Sequence, residues 1–242
     1  MSRFTLKQFE DFLKKVDLDS YREKYSKIKI VEMDLPRNIQ ALQTIYEQYW
    51  DNIDNRKKLP SFDEYYDIYW KRHKKEIKEF QKKSGFGSDC DCFERGLKAR
   101  IYRTWASLVT QIQGGYVAET IFGKGNIKMS AELDHQGADI LVTNNDGSDR
   151  LKIQVKKETH RREIARMHSN NIKKEKDVFY LYYVVPNDYD DPYYKRNGKG
   201  YKKGDEKPFV KLFKKWYPKT AVLDRLGNGF IIFTKNAFTD FK

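Results

Sequence analysis

Residues 132–162, ELDHQGADILVTNNDGSDRLKIQVKKETHRR, constrain the fold more than any other stretch of the chain. An apolar run at 138–142 is followed by Asn144-Asn145-Asp146-Gly147, and then by residues 151–157, where apolar and polar residues alternate. Asn, Asp and Gly tolerate the backbone of a tight reversal, and alternation with period two marks a half-buried strand. Strand, turn and strand read as a β-hairpin. A lone hairpin is marginal in water, so the rest of the chain must supply more sheet and a cover.

The same hairpin gathers chemistry. Successive side chains on a strand point to opposite faces. Ile153, Val155 and Lys157 therefore share one face, and Lys152, Gln154 and Lys156 the other. Pairing the two strands brings Asp139 beside Gln154 and Lys156. Asp134, in the approach loop five residues earlier, can turn back to the same point. Together they offer two carboxylates, an amide oxygen and a lysine. Mg2+ takes oxygen ligands, often one or two carboxylates with water and phosphate. It can generate a nucleophile and neutralise a phosphate, while a lysine orients or deprotonates the attacking water and holds the phosphate. Phosphodiester hydrolysis needs these elements. An ordinary surface hairpin with solvated charges is the competing reading.

Upstream, the chain reads as helical. Thr5 caps a helix over 5–16, with Gln8 as reciprocal partner. Asn38 is expected to cap a second, with Ile39, Leu42, Ile45, Tyr46 and Tyr49 in register. Ser61 caps a third, with Asp63 and Glu64 in its first turn. Its apolar stripe is Phe62, Tyr66, Tyr69, His73, Ile77 and Phe80, and its opposite face carries Lys71, Lys74, Lys75, Lys78 and Lys82. A long helical pattern follows over 94–122. Glu119 falls on its apolar stripe, where a carboxylate needs either a cationic partner or a metal. Strand patterns return at 177–185 and 229–234. The organisation is α/β, with a helical N-terminal region at 1–93 and a core carrying a basic segment at 94–242, as two parts or one compact unit.

The formal charge is +13 and the pI about 9.4, which favours a polyanionic partner. Aromatics make up 15% of the chain, too many for a disordered basic tail. No apolar run is long enough to span a bilayer and the start does not resemble a signal peptide, so a cytoplasmic location without membrane attachment is expected. The only two cysteines, Cys90 and Cys92, are separated by one residue. A disulfide there is strained, and both read as reduced thiols.

Asp139 followed by Gln154-Val155-Lys156 resembles the PD-(D/E)xK nuclease pattern in a QxK form, with Gln154 where an acid is usual and Ala138 where Pro is usual. The stretches LDSYREKY, VEMDLPRN, ARIYRTWASLVTQ, ELDHQGAD and QVKKETHRRE, in order between Leu18 and Glu163, together with LDRLGNGFIIF, resemble the TaqI family of type II restriction endonucleases. The resemblance implies a mixed-sheet restriction-endonuclease-like core and Mg2+-dependent cleavage of double-stranded DNA at TCGA, leaving two-base 5′ overhangs. It implies Asp134 and Asp139 as metal-binding acids and Lys156 as the catalytic lysine. Gln154 joins them at the catalytic and metal positions, and Glu119 is a further candidate ligand. A homodimer and a cognate DNA methyltransferase are implied as partners. Lys157, Thr159, His160, Arg161, Arg162 and Arg166 follow the catalytic lysine and are candidates for DNA contact, to read bases or to neutralise phosphates. Residues 193–219, rich in Lys and Tyr, add basic charge. The alternatives are a nicking or repair nuclease of the PD-(D/E)xK type, or a DNA-binding protein whose site no longer cuts because Gln154 replaces an acid.

Overall fold

The first helix, α1 (Leu6–Lys15), begins where its capping box requires. Thr5 Oγ1 accepts the Gln8 amide N–H at 3.3 Å, and Gln8 Oε1 accepts the Thr5 N–H at 2.8 Å. The arrangement satisfies two of the backbone donors that every helix start leaves open. The computed structural model describes residues 3–26, 28, 31, 34–87, 91–159, 172–175, 178–185 and 222–241, with the β-strand side chains around the hairpin's lysines excepted. Contacts divide the chain into two compact units. One comprises Met1–Tyr116, Met129–Ala131 and Leu226–Phe230; the other comprises Val117–Lys128, Glu132–Arg225 and Ile231–Lys242. The boundary thus falls inside a helix, between Tyr116 and Val117.

The first unit is helical. After α1 come α2 (Leu18–Ser26), a 3-10 turn at Arg37–Ile39, α3 (Leu42–Tyr46), a π-helical turn at Glu47–Asp51, α4 (Phe62–Lys83) and most of α5 (Asp91–Phe122). The helix expected from Asn38 begins instead at Leu42. Gln40 is extended, with ψ 141°, and the Ile39 carbonyl accepts the Tyr69 hydroxyl of α4 at 2.6 Å. A carbonyl held from across the core has no need of helix continuation.

α4 starts at the expected cap. Ser61 Oγ accepts the Glu64 N–H at 3.3 Å, and Glu64 Oε2 accepts the Ser61 N–H at 2.7 Å. The Ser61 amide and then the Lys58 ammonium draw the Glu64 pKa down to about 2. The folded value lies below the unfolded one, so this contribution is present above about pH 4 and fades as pH falls toward 2. Ser61→Ala is expected to cost about 1 kcal/mol in urea unfolding, and Glu64→Gln to flatten the acid limb of stability between those pH values.

Aromatic residues form the core of this unit. Phe62, Tyr65, Tyr69, Trp105 and Tyr116 are buried. The rings of Phe62 and Trp105 lie 5.4 Å apart, and those of Phe9 and Tyr116 4.9 Å apart. Two of the buried hydroxyls find carbonyls across the core: Tyr49 donates to Pro60 O at 2.8 Å and Tyr116 to Tyr49 O at 2.9 Å. His73, on the α4 stripe, pairs with the Thr44 hydroxyl at 3.3 Å, and burial lowers its pKa. α5 runs unbroken through Gly114-Gly115. Trp50 and the Met129 sulfur occupy the space a Gly115 side chain would need, so that glycine serves close packing. Cys92 is disulfide-bonded, against the reading of reduced thiols; Cys90 lies outside the described residues.

The second unit carries a mixed sheet. Its strands are β1 (Ile127–Lys128), β2 (Ile140–Thr143), β3 (Asp149–Thr159), β4 (Ile172–Glu175) and β5 (Val178–Val185), in the order β1-β2-β3-β5-β4. β3 and β5 are parallel, and the other neighbours antiparallel. The expected hairpin is β2–β3, with Ile140 opposite Ile153 and Val142 opposite Leu151. Gly147 closes its turn at φ +84°. Every residue of β2 is buried, so that strand is covered on both faces. β6 (Leu223–Arg225) and β7 (Ile231–Phe233) form a separate antiparallel pair. Among the described residues no helix is long and apolar enough to cross a membrane.

Candidate active site

Asp134 and Asp139 are joined by a helix-ending turn. The approach to β2 was expected as loop, but residues 131–135 form a short helix, α6 (Ala131–His135). Gly137 follows it at φ +85°. The Gly137 N–H donates to Asp134 O at 2.9 Å and the Ala138 N–H to Leu133 O at 3.1 Å, the paired bonds of a Schellman cap. Leu133, Ala138 and Leu141 cluster as a buried group, which supplies the apolar contact that accompanies such caps. The ELDHQGAD stretch is therefore a helix, a left-handed glycine and a strand entry. Ser130 before Glu132 and Gly137 after His135 were the available start and stop signals; five residues are too few for a helical period to register. Gly137→Ala forces a side chain into left-handed backbone and is expected to cost about 1 kcal/mol or more, read as a lower urea midpoint.

Asp139 is 4% exposed. Its N–H donates to Ile153 O at 2.9 Å, and its Oδ2 accepts the Val155 N–H at 2.6 Å. The register of the hairpin begins one residue on, with Ile140 opposite Ile153, and the Asp139 carboxylate meets β3 at the N–H between Gln154 and Val155. On β3, Leu151, Ile153 and Val155 are buried while Lys152 and Gln154 are half-buried, the alternation that the sequence prescribes. Lys156 comes two residues after Gln154 and pairs with Tyr182 of β5, and Lys157 pairs with Tyr183. The backbone of β3 continues through Thr159. The side chains of Lys156, Lys157 and Thr159 lie outside the described residues, as do His160, Arg161, Arg162, Arg166 and the segment 193–219.

The structure thus ties the Asp139 carboxylate to β3 at Val155, next to Gln154, and the backbone of β3 carries on through Lys156. Glu119 is half-buried near the end of α5, and Asp134 is half-buried on α6. Among the described residues no three His, Cys, Asp or Glu side chains gather where a metal ion could sit, so Glu119, Asp134 and Asp139 do not form a ready-made three-acid cage. The donors at the hairpin entry are nevertheless all oxygen: the Asp139 carboxylate and the Gln154 amide, with the Asp134 carboxylate one short turn away. Such a set suits a hard divalent cation that keeps several waters, and does not suit a soft one.

A family model for the TaqI restriction endonuclease matches residues 6–242. Two similar proteins align over nearly all of the chain. The type II restriction enzyme TthHB8I of Thermus thermophilus is 34% identical over 239 residues, covering 97% of this chain and 86% of its own length. The type II restriction enzyme TaqI of Thermus aquaticus is 32% identical over 233 residues, covering 96% and 84%. No solved structure matches the chain.

Proposed function

Since the chain belongs to the TaqI restriction endonuclease family, and so is a type II restriction enzyme acting on double-stranded DNA, we propose that it hydrolyses both strands at TCGA with Mg2+, leaving 5′ overhangs. The observation that carries the proposal is the buried Asp139 carboxylate, fixed to the backbone of β3 beside Gln154 and just ahead of Lys156. A restriction-endonuclease-like PD-(D/E)xK core agrees with the mixed sheet of the second unit, in which the antiparallel β2–β3 hairpin is extended by the parallel strand β5.

In this reading Asp139, Asp134 and the Gln154 oxygen hold the ion. Glu119 is a reserve donor from α5. The ion supplies positive charge against the scissile phosphate and makes water more acidic. The protein's own groups do the rest. Asp139 is held by the Val155 N–H, so its carboxylate is positioned before substrate arrives and needs no reorganisation. Gln154 contributes an oxygen without a second negative charge, which lessens repulsion of the phosphate. Lys156 supplies its ammonium to the phosphate and takes part in moving the proton of the attacking water. Lys157, Thr159, His160, Arg161, Arg162 and Arg166 hold and read the duplex beyond it. Arginines there are suited to bidentate contacts with guanine or phosphate. A palindromic site is served by a two-fold dimer, one protomer per strand, and a methyltransferase of the same specificity would protect the host's own sites.

A plasmid digest tests the proposal. With Mg2+, discrete fragments whose sequenced ends fall in TCGA are expected, and EDTA should stop the reaction. A smear, single-strand nicks or ends at another sequence would count against it.

A further inference from the structure

We infer that the outward face of α4 is a sequence-independent docking surface for the phosphate backbone of duplex DNA. The inference rests on the reading that the substrate is duplex DNA. The buried residues of α4 are Phe62, Tyr65, Tyr66, Tyr69, Ile77 and Gln81. At about 100° per residue, Lys71, Lys74, Lys75, Lys78 and Lys82 fall within an arc of about 100° on the side away from them. Lys71, Lys74, Lys75 and Lys82 are exposed. Lys78 is different: it pairs with Glu94 at 2.6 Å and contacts Gln81 at 3.2 Å. Arg72, beside the row, pairs with Glu47. Glu79 flanks the row, Glu76 lies further round, and Asp67 stands one turn upstream. Among the described residues none of the three is paired with the exposed four.

The spacing and chemistry favour DNA as the occupant. Lys71 to Lys82 spans about 16 Å of a rigid helix, roughly five base-pair steps along one strand. Ammonium groups on flexible stems act as point charges, which neutralise phosphates without reading bases. An acidic bilayer is the other polyanion that a lysine row attracts. Interfacial helices, however, bury an apolar face in the bilayer, and the apolar face of α4 is already spent on the aromatic core. With 48 Lys and Arg against 35 Asp and Glu in the chain, a row of exposed lysines supplies long-range attraction and lets the enzyme stay on DNA between recognition sites.

The test is the K71Q/K74Q/K75Q/K82Q variant, since Gln keeps helix propensity while removing charge. A control, K7Q/K15Q/K57Q/K235Q, removes the same charge from scattered exposed positions. Affinity for a duplex without TCGA is measured against salt for both and for the unmodified enzyme. Each phosphate contact contributes about 0.9 to the slope of log affinity against log salt. Loss of four contacts makes the fall in affinity between 50 and 200 mM salt shallower by a factor of about 100. The α4 variant should show that change, the control little of it, and circular dichroism should show the helix retained. An unchanged slope, an equal change in the control, or loss of binding only to phosphatidylserine vesicles would overturn the inference. Cleavage position, read in the same samples, reports on the enzymatic proposal separately: it should be unaltered by the α4 variant.

Discussion

Asp139→Asn is expected to lower the rate of duplex cleavage about 10²- to 10⁴-fold, the range for removing a positioned catalytic group, while leaving the unfolding midpoint close to that of the unmodified protein. Asn retains an acceptor oxygen for the Val155 N–H, which Asp139 now holds at 2.6 Å in a buried setting. What it lacks is the negative charge. Asp139→Ala should lose cleavage too, but it strands a buried N–H and should cost about 1–3 kcal/mol of stability. The pair of variants separates two roles. Single-turnover cleavage of plasmid gives the first, and urea unfolding the second. If Asp139→Asn cuts at near the normal rate, Asp139 is a structural clamp and the catalytic acid lies elsewhere.

Lys156→Ala should be as damaging to catalysis, again about 10²- to 10⁴-fold, with fold and DNA binding retained. Its neighbour is the control. Lys157 follows in the same strand, and strand alternation assigns it to the row of Ile153 and Val155, both buried. Lys157→Ala should therefore cost much less in the cleavage rate. The comparison depends on the register of β3, in which Lys156 faces Tyr182 and Lys157 faces Tyr183. A reversed result, with Lys157 the essential residue, would mean that the strand presents its other face to the substrate.

The hairpin that carries the candidate site was legible in the sequence because it is a local structure. A two-residue period and a turn rich in Asn, Asp and Gly suffice to pair the apolar run after Asp139 with the strand that carries Gln154, and β2–β3 is that hairpin. The caps at Thr5 and Ser61 are equally local, each completed within three residues. The second helix start was not legible. Asn38 has the right chemistry for a cap, but the Ile39 carbonyl is claimed by Tyr69, 30 residues away, and no local rule can foresee that competition. The short α6 was missed for the opposite reason, being local but too brief to declare a period.

The sequence by itself determined the caps at Thr5 and Ser61, the hairpin, its alternation and the positive charge, because each follows from neighbours within a few residues or from composition. Only the tertiary structure decided that β5 joins β3 in parallel and that the chain divides within α5. It alone decided that the Asp139 carboxylate is buried and tied to Val155. Those outcomes depend on which distant segments compete for the same hydrogen bonds and apolar surface. A buried N–H must find an acceptor somewhere, and in this fold the Val155 N–H finds the carboxylate on which the proposed chemistry rests.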